Sequence, residues 1–540
     1  METLDFIIYA GIVILGIAFI YIIWSYAKGL KDSPYEIYLL FFTKVTEYSA
    51  YGAINISFVL FLSKDMGLSD VQAGTFMGIY STFMTLLVMV VGPFCDAIGI
   101  KKTLLFGAVM LLFSRLMLPF MPNLPLAVIF GFFPMAFGIA ITGPVISVGI
   151  KRFTTEETAA LGFGLFYTLM NVGWAIGAQI FDSMRGWLGE HELYNFFSLF
   201  GIENPPLQIE LSTYQWIFLL GFAINIPDFI AIVSMRDGVA LNEDREITIK
   251  PFSIMSKGKS FFGMLLHTIA DTSVKTWKKL VSVFYEKTFW VFMLMLFLTV
   301  FVRIVFEHFH YTFPKYGIRL LGDGAKIGSV YGVLNPTLIV FLVPLVAAIT
   351  RKIKSFPMLF SGILISSASV FIAAIPLDFF SFLNDTWFST LVYDRWLGVP
   401  ADRQTELYFA LISFVVIFTI GEALWSPRLM QFAAQVAPKG KEGSYISLAV
   451  LPYFFAKLAA GPFSGWLVST YTPLLEELEG DPGIIAAPER YANHYFVWLW
   501  VGGIAMLSPI GLLIFKKLFK AAENHDIEKN SPKETAEETE

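Results

Sequence analysis

The sequence predicts an all-α membrane protein: two six-helix bundles and one extra transmembrane helix at the N-terminus. Three observations carry this reading. Hydrophobic residues fill 56% of the 540 positions and charged residues only 15%, against roughly 25% charged in an ordinary soluble domain. Mean hydropathy is +0.66, and apolar runs of about 20 residues, the length that crosses bilayer hydrocarbon, recur along the chain. Those runs form two sets of six, split by a long polar stretch at 235–288.

The elements run in chain order. The first run, Phe6 to Trp24, is long enough to span. A secretory signal opens on positive charge and closes on a small-residue cleavage site. Here Glu2 and Asp5 precede the run and Lys28 and Lys31 come after it, which fits an uncleaved helix with its N-terminus outside. Residues 1–34 make up this extra segment, and 35–234 the first bundle, with spans near 35–62, 71–94, 103–121, 126–149, 158–183 and 213–234. In the linker at 235–288, residues 252–288 mix Phe, Leu and Trp with Lys275, Lys278, Lys279 and Lys287. That pattern suits amphipathic helices on the membrane surface. The second bundle, 289–516, has spans near 289–312, 327–349, 355–376, 406–436, 443–470 and 495–516. Residues 517–540 lead into a polar, acid-rich tail whose composition predicts disorder.

Charge bias sets the orientation. Lys101, Lys102, Lys151, Arg152, Arg351, Lys352, Lys354, Lys439, Lys441, Lys516 and Lys517 fall on one side. The loop at 186–212 on the other side has no cation, and that at 471–494 has only Arg490. The cation-rich side is cytoplasmic by the positive-inside rule. It includes the linker and the C-terminus, and the expected location is a plasma or inner membrane.

Several function classes drop out. Net charge is −5, and no basic patch or nucleic-acid motif stands out. Cys95 is the single cysteine, so no intramolecular disulfide forms. Neither an H-E-x-x-H zinc motif nor a G-x-S-x-G nucleophile elbow occurs. His308 and His310, two residues apart, point to different faces of a helix, against a metal site. No catalytic residue, metal or cofactor is expected, and the chain does not read as an enzyme.

Ionisable groups within membrane spans are costly and usually face a cavity and a partner. Lys44, Glu47, Tyr48 and Tyr51 occupy i, i+3, i+4 and i+7 of the first core span, one helix face. Arg303, Glu307, His310 and Tyr311, at i, i+4, i+7 and i+8, likewise share a face of the seventh, its counterpart in the second bundle. Glu422 and Ser426 share a face in the tenth span, Tyr453 and Lys457 in the eleventh. The alternative for Lys44–Glu47 and Arg303–Glu307 is self-neutralising pairing within each helix. Glu422 has no such local cation, which points it to Lys457 or to a ligand amine. Arg115 and Asp228 read as buried structural groups.

After the second core span the chain runs Gly92-Pro-Phe-Cys-Asp96-Ala-Ile-Gly99-Ile-Lys101-Lys102. This resembles the loop signature of the major facilitator superfamily, G-x-x-x-D-R-x-G-R-K/R, with Ala97 and Ile100 in place of two basic residues. Its glycines permit close approach and a sharp turn, and its cations suit anionic headgroups. The resemblance implies that Asp96 pairs with the neighbouring bundle to stabilise an outward-open state. Pro93 and Pro344 stand eight and seven residues before their cation pairs, a weak internal repeat.

Three stretches are similar to the proton-coupled oligopeptide transporter family: Gly421-Glu422 to Gly443, with Ser426-Pro427; Gly332 to Pro336 through Asn335; and Phe166-Tyr167 to Gly173 through Asn171. The departures are specific. The family's E-x-x-E-R falls on Thr43, Thr46 and Glu47, and a one-residue shift puts Tyr48 at the arginine. Its lysine before proline is Gly143 before Pro144. The resemblance implies a divergent transporter of the major facilitator type, working as a monomer by alternating access. Short peptides or peptide-like zwitterions would be its solutes and protons the driver. Glu422 would take the substrate amine, and Lys44, Arg303 or Lys457 its carboxylate. Tyr48, Tyr51, Tyr167, Asn171, Tyr311, Asn335, Ser426 and Tyr453 would complete the site, and Glu47, Glu307 and His310 would carry protons. Drugs, sugars or organic anions are alternative solutes, and a transporter-shaped receptor that no longer cycles is an alternative activity.

Overall fold

The computed structural model describes residues 2–197, 201–202, 208–242, 244–249, 287–350, 353–436, 451–474 and 483–521. Eleven helices among them are long and apolar enough to cross a membrane. The first bundle comprises α2 (Glu36–Lys64), α3 (Asp70–Ile98), α4 (Ile100–Met117), α5 (Leu124–Arg152), α6 (Glu156–Leu188) and α7 (Thr213–Ser234). The second comprises α8 (Lys287–Tyr311), α10 (Ser329–Ile349), α11 (Ser355–Ala374), α12 (Leu407–Val436), α13 (Leu451–Tyr471) and α14 (Phe496–Ile514). A short helix, α9 (Phe313–Leu321), comes directly after α8. The N-terminal helix α1 (Glu2–Gly29) stands where the extra span is predicted and rests against α6.

Local chemistry explains the ends. Ser69 and Gln72 form a capping box that starts α3, and Ser212 and Gln215 do the same for α7. Gly99, at φ +87°, turns the chain sharply between α3 and α4. Lys101 then donates to the carbonyls of Val233 (2.8 Å) and Met235 (2.6 Å) at the end of α7, and Lys102 pairs with Asp237 at 3.0 Å. The two lysines therefore bind the protein's own backbone and Asp237, where headgroup contact was the expectation. The last carbonyls of a helix lack intrahelical donors, and α7 finds one in Lys101. The surroundings of Gly92 and Asp96, nearly all of the surface helices expected at 252–288, and the tail at 522–540 lie outside the described residues.

Some structure exceeds the sequence reading. Val239–Leu241 pairs antiparallel with Ile247–Ile249 at the start of the predicted linker, and Leu193–Asn195 with Glu210–Ser212 in an outer loop. α9, predicted as loop, is buried along its whole length.

The bundles meet on their outer side. α3 packs closely on α13 through Gly74, Gly78, Gly461 and Gly465. A Cβ on Gly78 would lie 3.0 Å from Gly461 Cα and Lys457 O, so only glycine permits this approach. Asp70, at the outer start of α3, accepts from Lys315 Nζ (2.8 Å) and from both terminal nitrogens of Arg319 (2.9 and 3.0 Å). Lys315 also reaches Ser63. Asp182 of α6 accepts from the Gly328 and Ser329 amides (2.9 and 2.6 Å) that open α10. Arg185 pairs with Glu190 and donates to Ala325 O at 2.8 Å. The Gly324 amide also donates to Glu190 at 3.1 Å, and at mid-depth Lys457 Nζ donates to Thr85 Oγ1 at 3.1 Å. The side opposite Lys101 and Lys102, the outer one by the sequence's charge bias, is the closed one.

Candidate functional site

Beneath that closure lies a cavity of 390 Å³, walled by both bundles. α2 contributes Tyr48, Tyr51 and Asn55, one face of the helix, and α6 contributes Tyr167, Asn171 and Trp174. α6 lies close to α2 because Gly173 and Gly177 face it; a Cβ on Gly173 would meet Tyr48 Cβ at 2.7 Å. Tyr51 and Trp174 then meet edge to face at 5.3 Å, and Trp174 stacks across the bundle boundary on His310 at 5.3 Å and 20°.

The second bundle supplies the charge. Arg303, Glu307, His310 and Tyr311 come from α8, Glu422 and Ser426 from α12, Tyr453 and Lys457 from α13. α10 begins with one π-helical turn at Ser329–Val333. Such a turn shifts the register of the residues after it. Tyr331 and Asn335 line the cavity, and Tyr331 stacks on Phe309 at 4.0 Å. Asn335 Nδ2 donates to Glu422 Oε2 and to Thr419 Oγ1, each at 2.9 Å, which fixes the carboxylate's position. Arg303 lies over the rings of Tyr453 (4.1 Å), Trp425 (4.6 Å) and Phe306 (4.9 Å), and its Nε has no hydrogen-bond partner.

Two acids and two cations thus share one cavity, yet among the described residues no ion pair joins Arg303, Glu307, Glu422 and Lys457 to one another. Burying charge without a counter-charge is expensive. An arrangement that keeps both signs unpaired around an empty volume is complementary to a ligand bearing both signs.

The profile of the Major Facilitator Superfamily matches residues 40–462. The chain belongs to that superfamily. It is therefore a membrane transporter of small solutes and not an enzyme. No curated protein sequence matches it. Solved structures share its fold. A POT family transporter in complex with 5-aminolevulinic acid is 16% identical over 91% of this chain and 99% of its own, with a TM-score of 0.60. A peptide transporter POT in complex with sulfate is 15% identical over 91% and 96%, with a TM-score of 0.61. A bacterial homologue of the human drug peptide transporters PepT1 and PepT2 is 13% identical over 90% and 99%, with a TM-score of 0.61.

In this major facilitator, two of the residues expected in the cavity lie elsewhere. Glu47 turns into its own bundle, where Arg115 of α4 grips it through two bonds (2.9 and 3.0 Å) and Asn225 of α7 adds a third at 2.9 Å. Lys44 does not pair with Glu47; its ammonium lies over the rings of Tyr48 (3.6 Å) and Phe166 (3.9 Å). Neither residue is in the cavity wall. The reason is angular: only one side of α2 faces the second bundle, and Glu47 lies on the side that α7 covers and Arg115 of α4 reaches. Nor does Lys457 pair with Glu422, since Thr85 and Asn335 take those two roles. The intrahelical Arg303–Glu307 pair does not form either.

Sequence reasoning overlooked other parts. Trp174, Tyr331, Asn55 and Ser81 line the cavity but carry no charge to flag them. The outer clasp of Asp70 with Lys315 and Arg319 did leave a signal, two cations at i and i+4 beside an otherwise apolar stretch.

Proposed function

We propose that this transporter carries short peptides or peptide-like zwitterions by alternating access, coupled to protons, as a monomer. The observation that carries this reading is the cavity with Glu422 and Glu307 facing Arg303 and Lys457, none of them paired with another. An α-ammonium fits Glu422, whose carboxylate keeps one oxygen free of Asn335. A substrate carboxylate fits Arg303, a planar donor held on three rings with Nε unsatisfied, or Lys457. Glu307 is the acid left over and is suited to carry the proton. The POT family neighbour holding 5-aminolevulinic acid, and another in complex with a thioalcohol-conjugated peptide, support this solute class.

The test is uptake of dialanine by proteoliposomes holding the purified full chain, with and without an imposed inward proton gradient. Accumulation that requires the gradient supports the reading. Dialanine binding without uptake under any gradient would instead mark a receptor that no longer cycles. No binding of dialanine or other dipeptides would overturn the solute class.

A further inference from the structure

A second cavity, of 330 Å³, lies on the lipid-facing side of α6 and α10. Asn171 and Pro336 belong to its wall and to the wall of the central cavity alike, so the two spaces adjoin at these residues. Beyond them the surroundings turn apolar. Val172 and Ile176 line one side, Val340 and Phe341 the other, and Gly16 and Phe19 of α1 lie across the front.

The backbone explains why a slot opens there. On the outer side α6 and α10 are clamped together: a Cβ on Gly328 would lie 2.6 Å from Ala178 O, and Asp182 holds both amides at the start of α10. One turn further in the approach is still tight, a Cβ on Gly332 lying 2.5 Å from Ala178 Cβ, and the slot opens a turn beyond, beside Pro336. Pro336 contributes only a short ring to the α10 wall of the slot. α1 covers the gap without filling it. Its close approaches to α6 are nearer its cytoplasmic end, where a Cβ on Gly164 would meet Tyr26 at 2.8 Å. Gly16, over the slot, has open space where a side chain would stand.

We infer that the central cavity and this slot form one binding site for an amphiphile. Its zwitterionic head sits among Arg303, Glu307, Glu422 and Lys457, and its alkyl tail passes Asn171 and Pro336 into the slot between α6 and α10. The inference rests on the proposed zwitterion reading for the head group and adds a substrate class to it. A long tail confined to the central cavity would crowd the charged groups there and strip their solvation. Passing these two residues, it lies against Val, Ile and Phe side chains and the bilayer interior, while the head keeps its polar partners. The size of the slot is at the lower end of ordinary ligand cavities, enough for part of a chain.

The experiment compares two probes on the full chain in lipid nanodiscs. One is dialanine; the other is the same dipeptide with a ten-carbon alkyl side chain on its second residue, so that both charged ends are unchanged. Affinities are measured for the natural protein, for Val172→Trp and for Thr337→Trp, with binding to empty nanodiscs subtracted. Val172 and Thr337 line the slot but not the central cavity, and they stand on opposite walls. The expected result is at least tenfold tighter binding of the long-chain probe to the natural protein. That advantage falls below threefold in both tryptophan variants, while dialanine affinity holds in each. An advantage that survives both substitutions, or is absent from the natural protein while dialanine binds, overturns the slot and leaves the zwitterion reading intact. Long-chain binding that both substitutions abolish, without dialanine binding, sinks the short-peptide reading and keeps the slot. If neither probe binds, both fail.

Discussion

α2 and α8 hold corresponding places in the two bundles and carry similar charge patterns, yet they use their charges in opposite ways. In α2, Glu47 is saturated: two bonds from Arg115 and one from Asn225 satisfy it inside its own bundle. In α8, Arg303 and Glu307 face the cavity with no ionic partner among the described residues. Burial is similar in both, so desolvation does not separate them. What separates them is whether a neighbouring helix brings the opposite charge. A saturated pair fixes a bundle's packing, whereas unsaturated groups around an open volume leave binding energy for a ligand. The first bundle therefore serves as a framework, and the second supplies most of the charge that recognises the solute.

That contrast breaks most readily at Glu47. Glu47→Gln strands the Arg115 guanidinium in the bundle, and losing one partner of a buried pair costs about 3–5 kcal/mol. We expect a large drop in thermal stability, with dialanine affinity of the folded protein within about threefold of normal, under ~0.7 kcal/mol. Replacing both Glu47 and Arg115 by Met should recover much of the stability, since an apolar pair removes the stranded charge. Lost affinity at unchanged stability would show that Glu47 belongs to the site after all.

The opposite signature is expected at Glu422. Glu422→Gln should weaken dialanine binding about 100-fold, ~2.7 kcal/mol, because an amide cannot balance an ammonium. Stability should hold, since no protein cation loses its partner. Glu307→Gln should instead alter the pH dependence of uptake. Calorimetry on the three single variants decides the roles: normal binding by Glu422→Gln with loss in Glu307→Gln would reverse them.

A third test addresses the closed side. Asp70→Asn leaves Lys315 and Arg319 without their carboxylate and should loosen the outer clasp. With Cys95→Ser as background, Asn55→Cys reports on the cavity. An impermeant thiol reagent added outside should label it about tenfold faster once Asp70 is replaced, a ~1.4 kcal/mol shift between states. Unchanged labelling would mean that the glycine seam of α3 and α13 closes the outside unaided. The smallest effect belongs to Lys102→Gln. Its pair with Asp237 is partly solvent-exposed, so its loss should cost no more than ~1 kcal/mol of stability and leave uptake near normal.

The helical fold and the order of the spans were legible in the sequence because they depend on local quantities. Hydrocarbon thickness fixes the length of an apolar run, and the cations of 101–102 and 151–152 mark a side whatever the helices later touch. Which buried charges would face the solute was not legible. Spacing placed Lys44, Glu47, Tyr48 and Tyr51 on one face of α2, but a helix face is wide enough to meet more than one neighbour. The tertiary structure put Tyr48 and Tyr51 against the cavity and Glu47 against Arg115, 68 positions away in the chain. The pairing of Glu422 with Asn335, the clasp of α9 on Asp70 and the slot beside Pro336 arise the same way. Each depends on the distance and angle between helices remote in sequence. Those are set by which glycines let backbones touch and where a π-turn rotates the rest of a helix, so they exist only once the bundles have packed.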